Sequence, residues 1–297
     1  MYKGLQTVTY HPLEGCSLCP QVMVRGRTFH PPSAIFPLKG DDMNRHISNR
    51  SRLWVCLTMV GVMILAVAAV SLPSALANDK DKDEDTYKIY DRNAVVFGRT
   101  FADWDAAWNQ WSYSIPVAQH PLFDNGDCSA GQSGPVWFLG GKFCANGATC
   151  SYTAVRSCHV PAGKTLFFPI ADGEDSALEE NVFEHPGDVN YQQIGYMRSY
   201  LSTIVSPAGL FFQIDGKPVK NIVKRFYVQS TAFEFTIPDD NLLKAVYPPP
   251  NNFEAGSYFP AVDEGYYIML APLSPGYHTL HFGAPWLDVT YNLVVAK

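Results

Sequence analysis

His120 and Asp124 stand close together in the chain, and further on Asp172, Glu174 and Asp175 follow one another within a short run. A histidine oriented by a carboxylate is a general base, so His120 with Asp124 or Glu174 is a candidate catalytic set for hydrolysis. Gathering of these groups with Arg156 around one concave pocket would favour that chemistry. The nucleophile signature is missing, however. There is no G-x-S-x-G elbow, and Ser133 in Gly131-Gln132-Ser133-Gly134 lacks the strand-turn-helix setting of that motif. Paired acids could serve a glycosidase, but two carboxylates in one loop do not establish the separation that mechanism needs. As hard oxygen donors, Asp172, Glu174 and Asp175 are candidate calcium ligands, yet the twelve-residue EF-hand order is absent. The plainer reading is a solvated acidic loop, with no metal and no cofactor.

Other chemical residues read as structural. Gly163-Lys164-Thr165 imitates the end of a phosphate loop, but Cys158 holds the place of its first glycine and Pro161 stiffens the segment. His278 and His281 are three apart on an expected strand and so point to opposite faces, which prevents a shared metal. Trp104, Trp108 and Trp111 recur with Phe101 on one face of a helical period. They are candidate sugar-stacking residues if exposed, and core residues if the stripe packs inward.

The placement of these residues begins with Leu53 to Ala77. This apolar run follows Arg45, Arg50 and Arg52 and closes on Ala75-Leu76-Ala77, the pattern of an export signal. Residues 43–77 form the expected signal peptide, starting at Met43, and residues 1–42 form a leader of doubtful translation. Alternatively, residues 53–72 remain as an uncleaved single-pass anchor. Either arrangement puts the C-terminal part outside the cytoplasm, in the periplasm or beyond. Residues 78–90 read as a charged tether, and residues 91–297 as a single domain.

Seven of the 22 Lys/Arg and three of the 28 Asp/Glu precede Asn78, which leaves 15 basic and 25 acidic residues and a net charge of −10. Such a surface does not suit nucleic acid, whose phosphates need clustered cations. Membrane contact is expected only through the signal or anchor segment. Four of the seven cysteines, Cys128, Cys144, Cys150 and Cys158, lie beyond Ala77. Their even number in an exported segment predicts two disulfides, with the pairing open among three connectivities.

The periodicity then supplies the elements. Thr100 and Asp103 predict a capping box at the start of the tryptophan helix, and Ile194, Met197, Leu201 and Ile204 mark a second helix ended by Pro207. Thr231–Ile237 and Leu287–Leu293 alternate apolar with polar residues, as half-buried strands do. Asp215-Gly216 is a hairpin signal, and a short turn through Pro272 and Pro275-Gly276 joins two further strands. These patterns predict a mainly β protein, an antiparallel β-sandwich of jelly-roll or immunoglobulin-like kind with two accessory helices.

The succession W-x3-W-x2-W, Gly131-Gln132-Ser133-Gly134-Pro135-Val136-Trp137-Phe138-Leu139, Cys158-His159-Val160-Pro161-Ala162-Gly163-Lys164 with Leu166-Phe167-Phe168-Pro169, and Leu273-Ser274-Pro275-Gly276-Tyr277-His278-Thr279-Leu280-His281-Phe282 resembles a group of exported bacterial proteins of uncharacterised function. The resemblance spans nearly all of the chain beyond the signal. It implies a bacterial source and one architecture, and it brings no activity or site residues. The function expected from these observations is a non-catalytic exported protein of the cell envelope that binds a ligand or partner. The alternatives are the His120 hydrolase and a membrane-anchored structural protein.

Overall fold

Ten strands form two sheets in the computed structural model, which describes residues 87–145, 150–247 and 249–297. The leader, the signal or anchor segment and residues 78–86 of the tether lie outside the described residues. Strands β1 (Val136–Phe138), β3 (Thr165–Ser176), β8 (Gly256–Leu270) and β6 (Tyr227–Gln229) follow in that order in the first sheet, and β7 (Phe233–Ile237) also pairs with β8. The second sheet runs β2 (Thr153–Val160), β10 (Leu287–Val295), β9 (Gly276–Ala284), β4 (Phe211–Ile214) and β5 (Lys217–Pro218). The helices are α1 (Phe101–Ser114), α2 (Ala177–Glu179), α3 (Ile194–Ile204), α4 (Ile222–Phe226) and α5 (Leu242–Val246). Among the described residues no helix is long and apolar enough to cross a membrane.

The protein is mainly β, as expected, but the sheets are mixed rather than wholly antiparallel. β1 runs parallel to β3, with Val136 opposite Thr165, and β2 runs parallel to β10, with Thr153 opposite Asp288. Alternation reports which face of a strand is buried and is silent about the direction of its neighbour. Both parallel pairs join strands far apart in sequence, as parallel pairing demands. The turn through Pro272 and Pro275 likewise joins no hairpin, because it carries the chain from β8 in one sheet to β9 in the other. Tyr87–Tyr90, expected in the tether, is tied to the end of β8: Ile89 bridges Leu270 and the Tyr90 amide donates to Met269 O at 2.9 Å.

The first sheet is covered on both faces. On one side Phe168, Ile170, Ile268 and Leu270 meet Phe212, Leu280, Phe282 and Val289 of the second sheet in a shared apolar core. On the other side Phe167, Tyr267 and Met269 pack under α1. α1 begins as expected, with the Thr100 and Asp103 side chains capping each other's backbone. Burying three indoles beneath a two-sided sheet stabilises the helix by far more than its cap, at about 25 cal/mol per Å² of apolar surface.

One irregularity decides what this second side contains. Pairing of β3 with β8 slips between Pro169 and Ala171, so that Pro169 faces Tyr267 while Asp172 faces Gly265 and Glu174 faces Asp263. The extra residue exchanges the two faces of β3. Odd positions look towards α1 before the slip, and even positions do so after it. Gly265 permits the close approach there, because a Cβ would stand 2.7 Å from Ala171 O and from the Asp172 Cα. Gly265→Ala is expected to cost about 2 kcal/mol through overpacking, whereas Gly195→Ala, with nothing within 4 Å, should change stability by less than ~1 kcal/mol. Urea denaturation of the two variants side by side measures the difference.

Candidate functional site

The residues re-aimed by the slip meet a polar stripe on α1. Asp105, Asn109 and Ser112 recur at i, i+4 and i+7 beside the tryptophan stripe, and all three are buried. Opposite them stand Asp172 and Glu174 on β3 with Asp263 and Tyr267 on β8. The Tyr267 hydroxyl donates to Asp263 Oδ1 at 2.8 Å and lies 3.5 Å from Asp172 Oδ2. Asn109 Nδ2 donates to Asp105 Oδ1 at 3.1 Å, and the Asp105 carboxyl lies against that of Asp263. The Tyr113 hydroxyl donates to Glu174 Oε2. Glu174 also meets Glu179, which accepts from Ser176 Oγ at 2.7 Å and from the Tyr247 hydroxyl at 2.9 Å.

Removal from water dominates the electrostatics of this seam. Burial, reinforced by the charge of Asp172, pushes Asp105 well above the carboxylate range. Burial and then the neighbouring Asp105 and Asp172 do the same to Asp263, and burial with Glu179 does it to Glu174. Asp172 is pushed up to about 7 by burial. Asp175 lies on the opposite face of β3, where burial and the charges of Glu179 and Glu180 push it up to about 9. The acidic run is therefore no solvated loop but part of a buried strand, and its three carboxyls do not converge. Among the described residues no group of three or more His, Cys, Asp or Glu is arranged to hold a metal ion.

His120 and Asp124 go elsewhere. His120 is fully buried, with Nε2 3.0 Å from Ser112 O and Nδ1 accepting from the Leu122 amide at 3.1 Å. Asp124 accepts from Arg156 Nε at 2.7 Å and pairs with Lys142 at 2.9 Å. Arg156 in turn reaches Gly141 O at 2.7 Å and the Tyr291 hydroxyl at 2.8 Å, joining two loops to β10. No hydrogen bond connects His120 with Asp124 or Glu174 among the described residues. Trp104, Trp108 and Trp111 are buried, and their indole N–H groups donate to Val96 O, Leu139 O and Ala130 O at 2.9, 2.6 and 3.0 Å. His278 bonds Asp215 at 2.8 Å and His281 bonds Asp288 at 2.9 Å. The cysteines pair as Cys128–Cys158 and Cys144–Cys150, with Cα separations of 5.8 and 5.7 Å. Two disulfides suit an oxidising environment outside the cytoplasm.

A different surface stays open. The outward positions of the second sheet carry Ser157 on β2, Thr290 and Asn292 on β10, and Tyr277, Thr279 and His281 on β9. Cross-strand pairing aligns Ser157, Asn292 and Thr279 in one row, and the exposed Val155 with Thr290 and His281 in the next. Tyr277 is 87% exposed.

No protein-family model matches the chain, and no curated protein matches it. Among solved structures, a chain from "Structure of PbICP-C in complex with falcipain-2" aligns with 54% of this chain and 97% of its own length, at 8% identity and a TM-score of 0.18. Likeness at that level carries no argument about fold or partner.

The histidine yields a signed expectation. Burial lowers His120 to about 4, against an unfolded value near 6.5. Its contribution is complete above about pH 6.5 and is lost as pH falls towards 4, because the unfolded chain takes up a proton that the folded chain refuses. The stability difference between wild type and His120→Asn should shrink by about 3 kcal/mol between about pH 7 and about pH 4. Urea midpoints of both proteins across that range test it.

Proposed function

We propose that the chain is an exported, disulfide-bonded domain of the bacterial cell envelope, its sheets stacked as a jelly-roll or immunoglobulin-like β-sandwich. It acts by binding a neutral, hydrogen-bonding ligand on the outward face of the second sheet. The observation that carries this reading is the state of the side chains there. The Ser157, Thr279 and Thr290 hydroxyls and the Asn292 amide make no hydrogen bond to other side chains or backbone among the described residues. The carboxylate of that face, Asp288, is already engaged by His281. Adjacent strands are about 4.8 Å apart and same-face residues about 6.7 Å apart along a strand, so the face sets these donors and acceptors at regular spacings around the exposed Val155. A polyhydroxylated chain such as an envelope glycan matches those spacings, and the Tyr277 ring at the margin of the face offers a stacking surface.

Export is supported by the two disulfides and by the signal-like segment at residues 43–77. The net charge of −10 beyond Ala77 argues for an uncharged ligand over a polyanion. Catalysis by His120 receives no support from its surroundings, since both ring nitrogens are already engaged and the ring is out of reach of solvent.

A glycan array probed with the exported form, followed by calorimetry on the strongest hit, tests the reading. Asn292→Ala and Tyr277→Ala should each weaken binding about tenfold, equivalent to ~1.4 kcal/mol, without moving the thermal midpoint. Binding left unchanged by both substitutions would exclude this face.

A further inference from the structure

Several carboxyls of the seam have one oxygen without a donor. Asp105 Oδ2, Asp263 Oδ2, Glu174 Oε1 and Asp175 Oδ2 are all buried without a hydrogen-bond partner among the N–H and O–H groups of the described residues. An unsatisfied buried acceptor costs about 1–3 kcal/mol, and more when charged. Yet Asp105 lies against the carboxyl of Asp263, and Glu174 against that of Glu179. Two carboxylates in contact repel, whereas a carboxylic acid and a carboxylate form a strong hydrogen bond. The donor missing from each pair is a proton on one of its own oxygens.

We infer that Asp105–Asp263 and Glu174–Glu179 each share a proton in the folded protein, so that this domain loses stability as pH rises above neutrality. The surroundings do not supply the charge that would replace those protons. α1 presents Asn109, Ser112 and Tyr113, and β8 presents Tyr267. Tyr247 follows α5 and donates to Glu179. Asp172 adds a further acid beside Tyr267. On α3, Arg198 is the guanidinium that acts on Asp105; its Nη2 donates to Ser230 O at 2.5 Å and its Nη1 is buried without a partner. Glu180, whose carboxylate His185 engages at 2.5 Å, adds its charge beside Glu179. On the far edge of β8, Glu264 accepts from Gln229 Nε2 at 2.7 Å. One guanidinium therefore faces the four acids of the two pairs, with Asp172 beside them.

The sign is opposite to that of an ordinary acidic protein. Unfolded Asp and Glu are ionised above about pH 5, so unfolding must release the shared protons. Each one raises the unfolding equilibrium constant tenfold per pH unit. Above about pH 6.5 the unfolded histidines are mostly neutral, and His120 is neutral in the folded state too, so its opposing contribution is spent there.

Calorimetric unfolding in two buffers of different ionisation enthalpy, at about pH 7.5, counts the protons directly on the unmodified protein. Release of about two protons is expected, with the urea midpoint falling steadily from about pH 6.5 to about pH 9. Asp263→Asn or Asp105→Asn, which keep shape and supply an amide donor, should each lower the count by about one. Unfolding of the wild type without proton release, or a midpoint that rises with pH over that range, would overturn the inference. So would folded Asn variants that release as many protons as wild type. Should neither variant fold, the wild-type proton count decides alone.

Discussion

Strand β3 carries two opposite environments on one backbone, and the extra residue between Pro169 and Ala171 allows it. Before that point its faces are Phe167 towards α1 and Phe168 towards the second sheet. After it, strict alternation from Phe167 would have turned Ala171, Gly173 and Asp175 towards α1. The slip turns Asp172, Glu174 and Ser176 there instead, opposite Asp105 and Asp263. Proline at 169 is compatible because a bulge already interrupts the ladder of donors and acceptors. Gly265 on β8 is the matching concession, lacking the Cβ that the displaced strand would strike.

The rest of the domain is organised around covering that strand and its partner β8. α1 lies over one face, and its indoles reach out to hold Val96, Ala130 and Leu139. Arg156 performs the same service at the edge of the second sheet, binding Asp124, Gly140, Gly141 and Tyr291 together. The Cys128–Cys158 bond ties the glycine-rich segment before β1 to β2. The residues with the most chemical appearance are thus spent on connecting loops to sheets. Solvent instead meets the outward face of the second sheet, where Ser157, Thr279, Thr290 and Asn292 surround the exposed Val155.

Much of the secondary structure was legible in local pattern. The capping box at Thr100, the inward tryptophans, the alternation of Phe233, Phe235 and Ile237, and the positive-φ turn at Asp215-Gly216 all follow from spacing and backbone preference. The stripe of Asp105, Asn109 and Ser112 has the same period as the tryptophans and was open to the same inspection. Polar residues on a helix are ordinarily assigned to water, and this stripe is instead covered by the first sheet. The Asp172–Asp175 run misleads for a related reason. Four residues rich in acid resemble a solvated loop, because a chain rarely takes uncompensated carboxyls indoors.

The sequence by itself determined the class of the protein, its apolar faces, its even set of cysteines and the signal-like segment, since each depends on residue type and on spacing along the chain. Tertiary structure alone decided the parallel pairs, the disulfide partners and the burial of the acids. These are contacts between residues far apart in the chain, and no local period encodes them. A single slipped residue in β3 is enough to exchange which side chains meet α1.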